Sequence, residues 1–305
     1  MKLSECKVDA TLLRDVEFSK LGSADSGGSE LLVYADSLKH LNVALENPGV
    51  CAIVTTSRLA DQVPRTIGLM VADTPRDVFY TIHETFVSNS FYHLPFKSGI
   101  GKNCKIHPSA LIADGCCIGD HVVIGEHVII RAPVWIGSYV TIESGVKIGV
   151  DGILYRRTAT GPRLIPHGGY VRINDNAILM TNSVVVRSVH DTDVTEVGNS
   201  ALIGLATIVG HEAKVGARTV VSNQCVIARK SVIGEDAFIG TQCMIKENIK
   251  VGAGASVMAG SVVISDVAAG ESVSGNFATE HRVRSLEYIR NRRRSTFTAA
   301  NEVGI

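Results

Sequence analysis

The sequence predicts a mainly β protein, and a six-residue repeat is the main observation behind that prediction. From Ile100 to Ile148 every sixth residue is isoleucine; the spacing resumes at Ile173 and runs to Val263, with Asp191 its only non-aliphatic member. A period of six does not suit an α-helix, because the aliphatic side chains would spiral around its surface. Short strands that each turn one aliphatic residue inward instead coil into a β-helix with one continuous core.

The repeat region spans residues 99–275 and is interrupted once, at residues 149–172. Glycine often follows the repeat position, as in "IGDHVV" and "VGARTV", which indicates turns that glycine tolerates. The interruption is too long for a turn and too polar for a coil. We therefore expect it to loop out of the β-helix and to form a wall of a binding site.

The two ends of the chain differ from the repeat region. Alternating strand and helix patterns in residues 1–98 predict a small α/β domain, which could bind a nucleotide or a sugar. Thr74 and Pro75 are typical of an N-cap and the first residue of a helix. The expected elements are a helix at 35–48, strands at 49–56 and 67–73, a helix at 74–90, a linker at 91–99, and a short C-terminal helix and tail at 276–305.

Composition excludes several classes of protein. Lys and Arg total 30 and Asp and Glu total 30, so the net charge gives no reason to expect a nucleic acid or an anionic membrane as partner. The sequence has no apolar run of about 18 residues that could span a bilayer, and its N-terminus has no signal-peptide pattern. Seven scattered cysteines without a C-x-x-C pair favour reduced thiols and a cytoplasmic location.

Three features together resemble the UDP-3-O-acyl-glucosamine N-acyltransferases of lipid A synthesis. They are "LKHLNVALENPGVCAIVTT" ahead of the repeats, the interruption "GVDGILY…RLIPHGGYVRI", and His211 in the repeats after it. The resemblance implies a left-handed parallel β-helix in which residues 18 apart stack, and a homotrimer with active sites between neighbouring subunits. It also implies acyl transfer to the amine of a nucleotide-linked amino sugar.

A second resemblance concerns the residues around the histidine. The string "GHEAKVG", with Glu212 after His211, is similar to that of CoA-dependent amino-sugar N-acetyltransferases, as is the ending "AGSVVISDVAAGESVSGNFA". This favours acyl-CoA over acyl carrier protein as co-substrate, with no tightly bound cofactor. Arginines in "HRVRSLEYIRNRRR" could meet the phosphates of CoA.

Acyl transfer to an amine explains why a histidine is needed. An ammonium group has no lone pair, so a base must take its proton, and imidazole can do so near neutrality. Glu212 or Asp193, the latter placed one coil below His211 by the step of 18, could orient that imidazole. The backbone N–H of Arg229, one coil above, is the candidate donor to the oxyanion of the tetrahedral intermediate.

Other polar residues are weaker candidates. Tyr155, His167, His190 and Asp193 are candidate substrate-binding residues because they lie in or near the interruption or the coil below His211. His121 and His127 are six apart, but a zinc site needs three converging ligands and no third is placed to join them. We therefore expect no metal.

Two further functions remain open at this stage. The first is the lipid A reaction itself, which uses a 3-hydroxyacyl chain carried on acyl carrier protein. The second is a non-catalytic β-helix that serves as a scaffold. Replacement of His211 separates a scaffold from an enzyme, because a scaffold does not need the imidazole.

Overall fold

The computed structural model describes residues 1–88, 96–158 and 160–302, with side chains described as far as residue 291. Most of the expected linker at 91–99 therefore lies outside the described residues. The chain divides into two compact units. The first unit contains Met1–Lys97, Asp151–Tyr170 and Arg187–Val194; the second contains Ser98–Val150, Val171–Val186 and Thr195–Ile305.

The first unit is built around a five-stranded sheet. Strand β1 is antiparallel to β5, whereas the four strands from β2 to β5 run parallel in chain order. The elements are β1 (Thr11–Arg14), β2 (Lys20–Leu21), β3 (Leu31–Ala35), α1 (Leu38–Glu46), β4 (Val50–Thr55), β5 (Gly68–Val71) and α2 (Pro75–Ser88), with short 3-10 turns at Leu3–Glu5 and Ala60–Gln62.

Helix α2 begins at Pro75, as the sequence predicts, because proline has no N–H to lose in the first turn. Helix α1 begins after Ser37, whose hydroxyl accepts the N–H of His40. Strand β3 is nearly all buried, yet it was not expected, because "LLVYA" has no alternation that separates a buried strand from a buried helix turn.

The second unit is a parallel β-helix of three sheets, so the predicted fold class is confirmed. Its chain visits sheets I, II and III in turn. Sheet I contains Gly99–Ile100, Cys117–Ile118, Val134–Ile136, Tyr170–Ile173, Val194–Val197, Lys214–Val215, Val232–Ile233 and Lys250–Val251. Sheet II contains Lys105–Ile106, Val123–Ile124, Thr141–Ile142, Ile178–Leu179, Leu202–Ile203, Val220–Val221, Phe238–Ile239, Ser256–Val257, Ser272–Ser274 and Thr279–Glu280. Sheet III contains Leu111–Ile112, Ile129–Ile130, Lys147–Val150, Val184–Val186, Ile208–Val209, Val226–Ile227, Met244–Ile245 and Val262–Val263.

The repeat residues form the core of the coils. Ile136, Ile203 and Ile227 are fully buried, and each stacks in register on its counterpart in the next coil. Most coils follow the predicted step of 18: Val209 pairs with Ile227, for example. The apolar column stabilises the stack because no single strand of two or three residues can bury its own side chain.

Glycine follows the repeat position because the coils stack closely there, and not because the turn requires a positive φ at that residue. Gly216 and Gly234 do not have a positive φ; instead, a Cβ on Gly234 would lie 2.4 Å from the nitrogen of Ala253 in the next coil. The left-handed position comes two residues later, where Glu212 has φ of 63° and Lys230 has φ of 57°. Glycine is therefore needed for close stacking of the coils, while other residues accept the turn.

The chain leaves the coils twice, whereas the sequence predicts one interruption. Val185 pairs directly with Val209, twenty-four residues later, so Arg187–Val194 is an additional insertion. Asp191, the only non-aliphatic residue of the series, lies in that insertion and is not a core position. The placement of Asp193 one coil below His211 stays a prediction: the step across the insertion is twenty-four on sheet III, but it is still 18 on sheet I, where Val197 pairs with Val215.

The C-terminal helix α3 spans His281–Glu302, so it starts later than expected, and with 22 residues it is longer than the short helix predicted. Its described surface is basic and partly apolar: Arg282, Arg284 and Arg290 are exposed, as are Leu286 and Tyr288. None of the helices in the described part of the chain combines the length and the apolar character needed to cross a bilayer.

Candidate active site

The candidate active site of the second unit lies at the turn that connects sheet III to sheet I. Val209 ends a strand of sheet III, Gly210, His211 and Glu212 form the turn, and Lys214 begins the next strand of sheet I. His211 is 6% exposed and Glu212 is 7% exposed. A histidine that merely met solvent would be far more exposed, so its burial argues for a specific environment.

The imidazole and the carboxylate of this turn face each other. Nδ1 of His211 lies 3.8 Å from Oε1 of Glu212, which is too long for a hydrogen bond but close enough for a strong charge interaction when the imidazole is protonated. The backbone N–H of Glu212 donates to the hydroxyl of Thr195 at 2.7 Å. Thr195 is fully buried, so this bond fixes the turn from below.

The next coil supplies Arg229 and Lys230. The N–H of Lys230 donates to the carbonyl of His211 at 3.1 Å, and Nζ of Lys230 lies 3.7 Å from Oε2 of Glu212. Sequence reasoning missed both Thr195 and Lys230. Lys230 could have been found, because it lies 18 residues after Glu212.

The backbone N–H of Arg229 is open in this structure. Among the described residues it has no hydrogen-bond acceptor, whereas the equivalent N–H of Leu205 is accepted by Oδ1 of Asn223 in the next coil. Gly210 keeps the approach clear, since a Cβ there would lie 3.0 Å from the Arg229 nitrogen. An open N–H beside a buried histidine is a suitable donor to a developing negative charge.

The remaining candidate residues lie in the first unit. His167 is fully buried, and its Nδ1 lies 2.9 Å from the carbonyl of Arg187. His190 is also buried, packed against Phe79 and His83 at ring-centre distances of 5.6 and 5.0 Å. Burial gives both rings a packing role in this structure. A part in substrate binding stays a prediction.

Asp193 and Tyr155 have different surroundings. The carboxylate of Asp193 accepts the hydroxyl of the buried Ser26 at 2.8 Å and faces Thr192 at 3.4 Å. These bonds attach the second insertion to the loop after β2. Tyr155 is 42% exposed, and its carbonyl accepts a hydrogen bond from Arg76.

Tyr155 belongs to a two-stranded hairpin, Tyr155–Thr158 and Gly161–Leu164. Arg156 joins this hairpin to α2: its guanidinium pairs with Glu84 at 3.0 Å and donates to the hydroxyl of Thr81 at 3.0 Å. Both charged side chains are largely buried, at 13% and 14% exposure. The first insertion is therefore an ordered part of the first unit and not a free loop.

Burial changes the acidity of one histidine in this unit. Loss of solvation lowers the pKa of His83 from 6.5 to about 4, with a smaller lowering from the nearby His167. The ring nitrogen Nε2 lies 2.7 Å from the carbonyl of Pro166 in the first insertion. A neutral His83 therefore helps to hold that insertion.

The two histidines considered for metal binding lie at different corners of the coil. His121 follows a strand of sheet I and stacks on Tyr139 at 4.8 Å, whereas His127 follows a strand of sheet II. Each occupies the left-handed position of its own turn. Their spacing of six is thus the spacing of the turns.

Comparison with known proteins supports the predicted fold and resemblance. The bacterial transferase hexapeptide family (six repeats) matches residues 97–132 and 230–265. UDP-3-O-acylglucosamine N-acyltransferase of Helicobacter pylori is 27% identical over 215 residues, which cover 62% of this chain and 63% of that protein. The Campylobacter concisus enzyme of the same name is 32% identical over 123 residues, 39% of this chain and 38% of that protein.

These matches span less than two thirds of the length of either relative. A crystal structure of UDP-N-acetylglucosamine acyltransferase from Bacteroides fragilis has a TM-score of 0.55 and 23% identity, and the match covers 62% of this chain and 71% of that one. The chain thus matches the bacterial transferase hexapeptide model over two segments, is similar to UDP-3-O-acylglucosamine N-acyltransferases, and shares the fold of the Bacteroides structure.

Proposed function

We propose that this protein is an acyltransferase that moves an acyl group from a thioester to the amine of a nucleotide-linked amino sugar. The observation that carries the proposal is the buried His211–Glu212 pair beside the open N–H of Arg229. The two relatives named UDP-3-O-acylglucosamine N-acyltransferase support a UDP-linked glucosamine as acceptor. The reaction needs a base and an oxyanion donor, and this turn offers both.

The mechanism begins at the imidazole. Because Nδ1 of His211 faces Glu212, the other ring nitrogen, Nε2, is the one that takes the proton from the acceptor amine. The amine, which has already released one proton to solvent, attacks the thioester carbonyl with its lone pair as its next N–H proton passes to Nε2, and Glu212 stabilises the imidazolium that forms. Glu212 is too far away for a hydrogen bond, so its effect is one of charge.

The tetrahedral intermediate carries its negative charge on the former carbonyl oxygen. The N–H of Arg229 donates to that oxygen, and a backbone donor does this whatever the side chain is. When the intermediate collapses, the carbon–sulfur bond breaks and the thiolate leaves. The imidazolium returns its proton to the thiolate, so the products are an amide and a free thiol.

Acyl-CoA is the donor that we favour. Helix α3 presents exposed arginines, and Arg284 and Tyr288 line a shallow groove of about 420 Å³ beside Gly275. Guanidinium groups bind phosphates well, as CoA would require. An acidic acyl carrier protein could use the same charges, and the names of the relatives keep the lipid A reaction as the second candidate.

A donor comparison tests the proposal. The protein is incubated with a UDP-linked glucosamine, with and without a 3-O-acyl chain, and with either acyl-CoA or acyl carrier protein of several chain lengths. Mass spectrometry should show a product heavier by one acyl group, attached through an amide, with acyl-CoA. Transfer only from acyl carrier protein would select the lipid A reaction. Absence of transfer from every donor would favour a scaffold.

A further inference from the structure

We propose that Lys230 is a positioning residue that holds the Glu212 carboxylate against His211 from the next coil. The inference rests on the proposed function and adds a residue to it. Lys230 touches both members of the pair. Its N–H donates to the carbonyl of His211, and its ammonium lies 3.7 Å from Oε2 of Glu212.

The carboxylate of Glu212 lies between two cationic partners. Oε1 faces the imidazole of His211 at 3.8 Å, and Oε2 faces Lys230 at 3.7 Å. Its side chain is 6% exposed and that of Lys230 is 20% exposed, so water screens these interactions little. A largely buried carboxylate needs such partners to stay charged.

The backbone of Glu212 is fixed independently of Lys230. Its N–H is bound to Thr195, and its φ of 63° is close to the 57° of Lys230 and the 61° of Asn248 in the next two coils. The equivalent residue one coil above Lys230 is Asn248, which also has a positive φ, and asparagine is a residue type suited to the left-handed region. The backbone does not require a lysine at position 230, so the role of this residue lies in its side chain.

The chemical role follows from the charges. Without the ammonium of Lys230, Oε2 would lose its attraction to the next coil, and the carboxylate could rotate away from the imidazole. The imidazolium formed during proton transfer would then lose part of its stabilisation. This cost falls on the reaction step, so we expect kcat to fall while the KM values for donor and acceptor change little.

The test is a set of variants assayed for acyl transfer and for thermal unfolding. Lys230→Met, which keeps the aliphatic stem, should lower kcat roughly tenfold, in the range of coupling between contacting residues. Lys230→Arg should restore most of the activity. In a Glu212→Gln background, Lys230→Met should have little further effect on kcat, because the carboxylate that Lys230 holds is absent.

Arg218 offers a matched control. It pairs with Asp236 in the next coil at 2.7 Å, and both occupy left-handed turn positions, but this pair is exposed and lies at another corner of the coil. Arg218→Met should leave kcat unchanged. The inference would be overturned if Lys230→Met had the kcat of the wild type. It would also be overturned if Lys230→Met lowered kcat by the same factor in the wild-type and Glu212→Gln backgrounds.

The outcome also separates this inference from the proposed function. If His211→Ala abolishes turnover but Lys230→Met does not, the reaction assignment stands and the role of Lys230 fails. If neither variant changes turnover, the site itself is wrongly assigned. A loss in Lys230→Met that Lys230→Arg does not reverse, with a lowered unfolding temperature, would show a purely structural role.

Discussion

Gly210 packs against the strand of the next coil and lies close to the N–H of Arg229. A Cβ at position 210 would lie 2.9 Å from the carbonyl oxygen of Ile227 and 3.0 Å from the Arg229 nitrogen. Gly210→Ala would therefore crowd the N–H that we assign to the oxyanion. We expect kcat to fall by roughly 10²-fold, the low end of the loss of one oxyanion donor.

Gly204→Ala is the control for that prediction. A Cβ at Gly204 would lie 2.5 Å from the carbonyl carbon of Ser222, so the stability cost should be at least as large, but no catalytic group is near. Turnover per folded molecule, measured beside the unfolding temperature, distinguishes the two variants. Equal losses of turnover in both would argue against the Arg229 donor.

His83 gives the first unit a dependence on pH. Its pKa in the folded state, about 4, is below the 6.5 expected when unfolded, so the unfolded chain binds the proton first as pH falls. The stabilisation is complete above pH 6.5 and is lost between 6.5 and 4. The loss should reach about 3 kcal/mol.

The measurement is the unfolding of the first unit between pH 7 and pH 4, for the wild type and His83→Gln. The glutamine amide can still donate to the carbonyl of Pro166 but has no ionisation in this range. The variant should therefore show a flatter pH dependence. An unchanged slope would mean that His83 does not control the acid sensitivity.

At the scale of elements, the hairpin of the first insertion depends on one buried ion pair. Removal of Arg156 would leave Glu84 buried beside a single exposed partner, Arg163. Breaking a buried pair in this way costs about 3 kcal/mol. Arg156→Met should increase hydrogen exchange across Tyr155–Thr158 and Gly161–Leu164.

Arg163 is the matched comparison, since it contacts the same carboxylate oxygen at 3.2 Å but is 63% exposed. An exposed pair contributes less than about 1 kcal/mol. Arg163→Met should leave exchange in the hairpin nearly unchanged. If hydrogen exchange in the hairpin were equally slow in Arg156→Met and Arg163→Met, other contacts would hold the hairpin against α2.

The repeat made the coils predictable because every strand needs one inward aliphatic residue and the step between coils is constant. The same regularity concealed the insertion at Arg187–Val194, because its length preserves the period of six. Only Asp191, polar where the core requires an aliphatic residue, indicated it. A polar residue in an otherwise unbroken series is therefore better interpreted as a departure of the chain from the core.

The candidate site was predictable only in part. His211 and Glu212 stand out because two titratable residues interrupt a run of small and β-branched ones. Thr195 and Lys230 do not, because threonine and lysine are common at turns and strand edges. Their contacts with the pair depend on stacking across the coils, and the second insertion changes the step below the site.

At the scale of the whole molecule, two sheets of the β-helix have unusually apolar outer surfaces. Val220 and Phe238 on sheet II are exposed, as are Val226 and Met244 on sheet III, whereas sheet I presents Lys214 and Lys250 on either side of the exposed Val232. Rows of exposed aliphatic residues mark surfaces that associate. We expect the homotrimer that the family resemblance implies, in which cyclic symmetry brings two different faces together around one axis.

Light scattering at micromolar concentration should give three times the mass of the chain. Val226→Lys together with Met244→Lys should reduce it to one chain mass, because a charge would be buried in the contact. Lys214→Glu, on the polar sheet, should keep the wild-type mass. A monomeric wild type would contradict the assembly that we expect.

The central claim is that His211 removes the proton from the acceptor amine. The most direct measurement is steady-state acyl transfer by His211→Ala, with the product identified by mass spectrometry and the fold checked by thermal unfolding. We expect turnover to fall by roughly 10²- to 10⁴-fold with the donor KM almost unchanged, and Glu212→Gln to lose less. Turnover within a few-fold of the wild type would remove His211 from the mechanism.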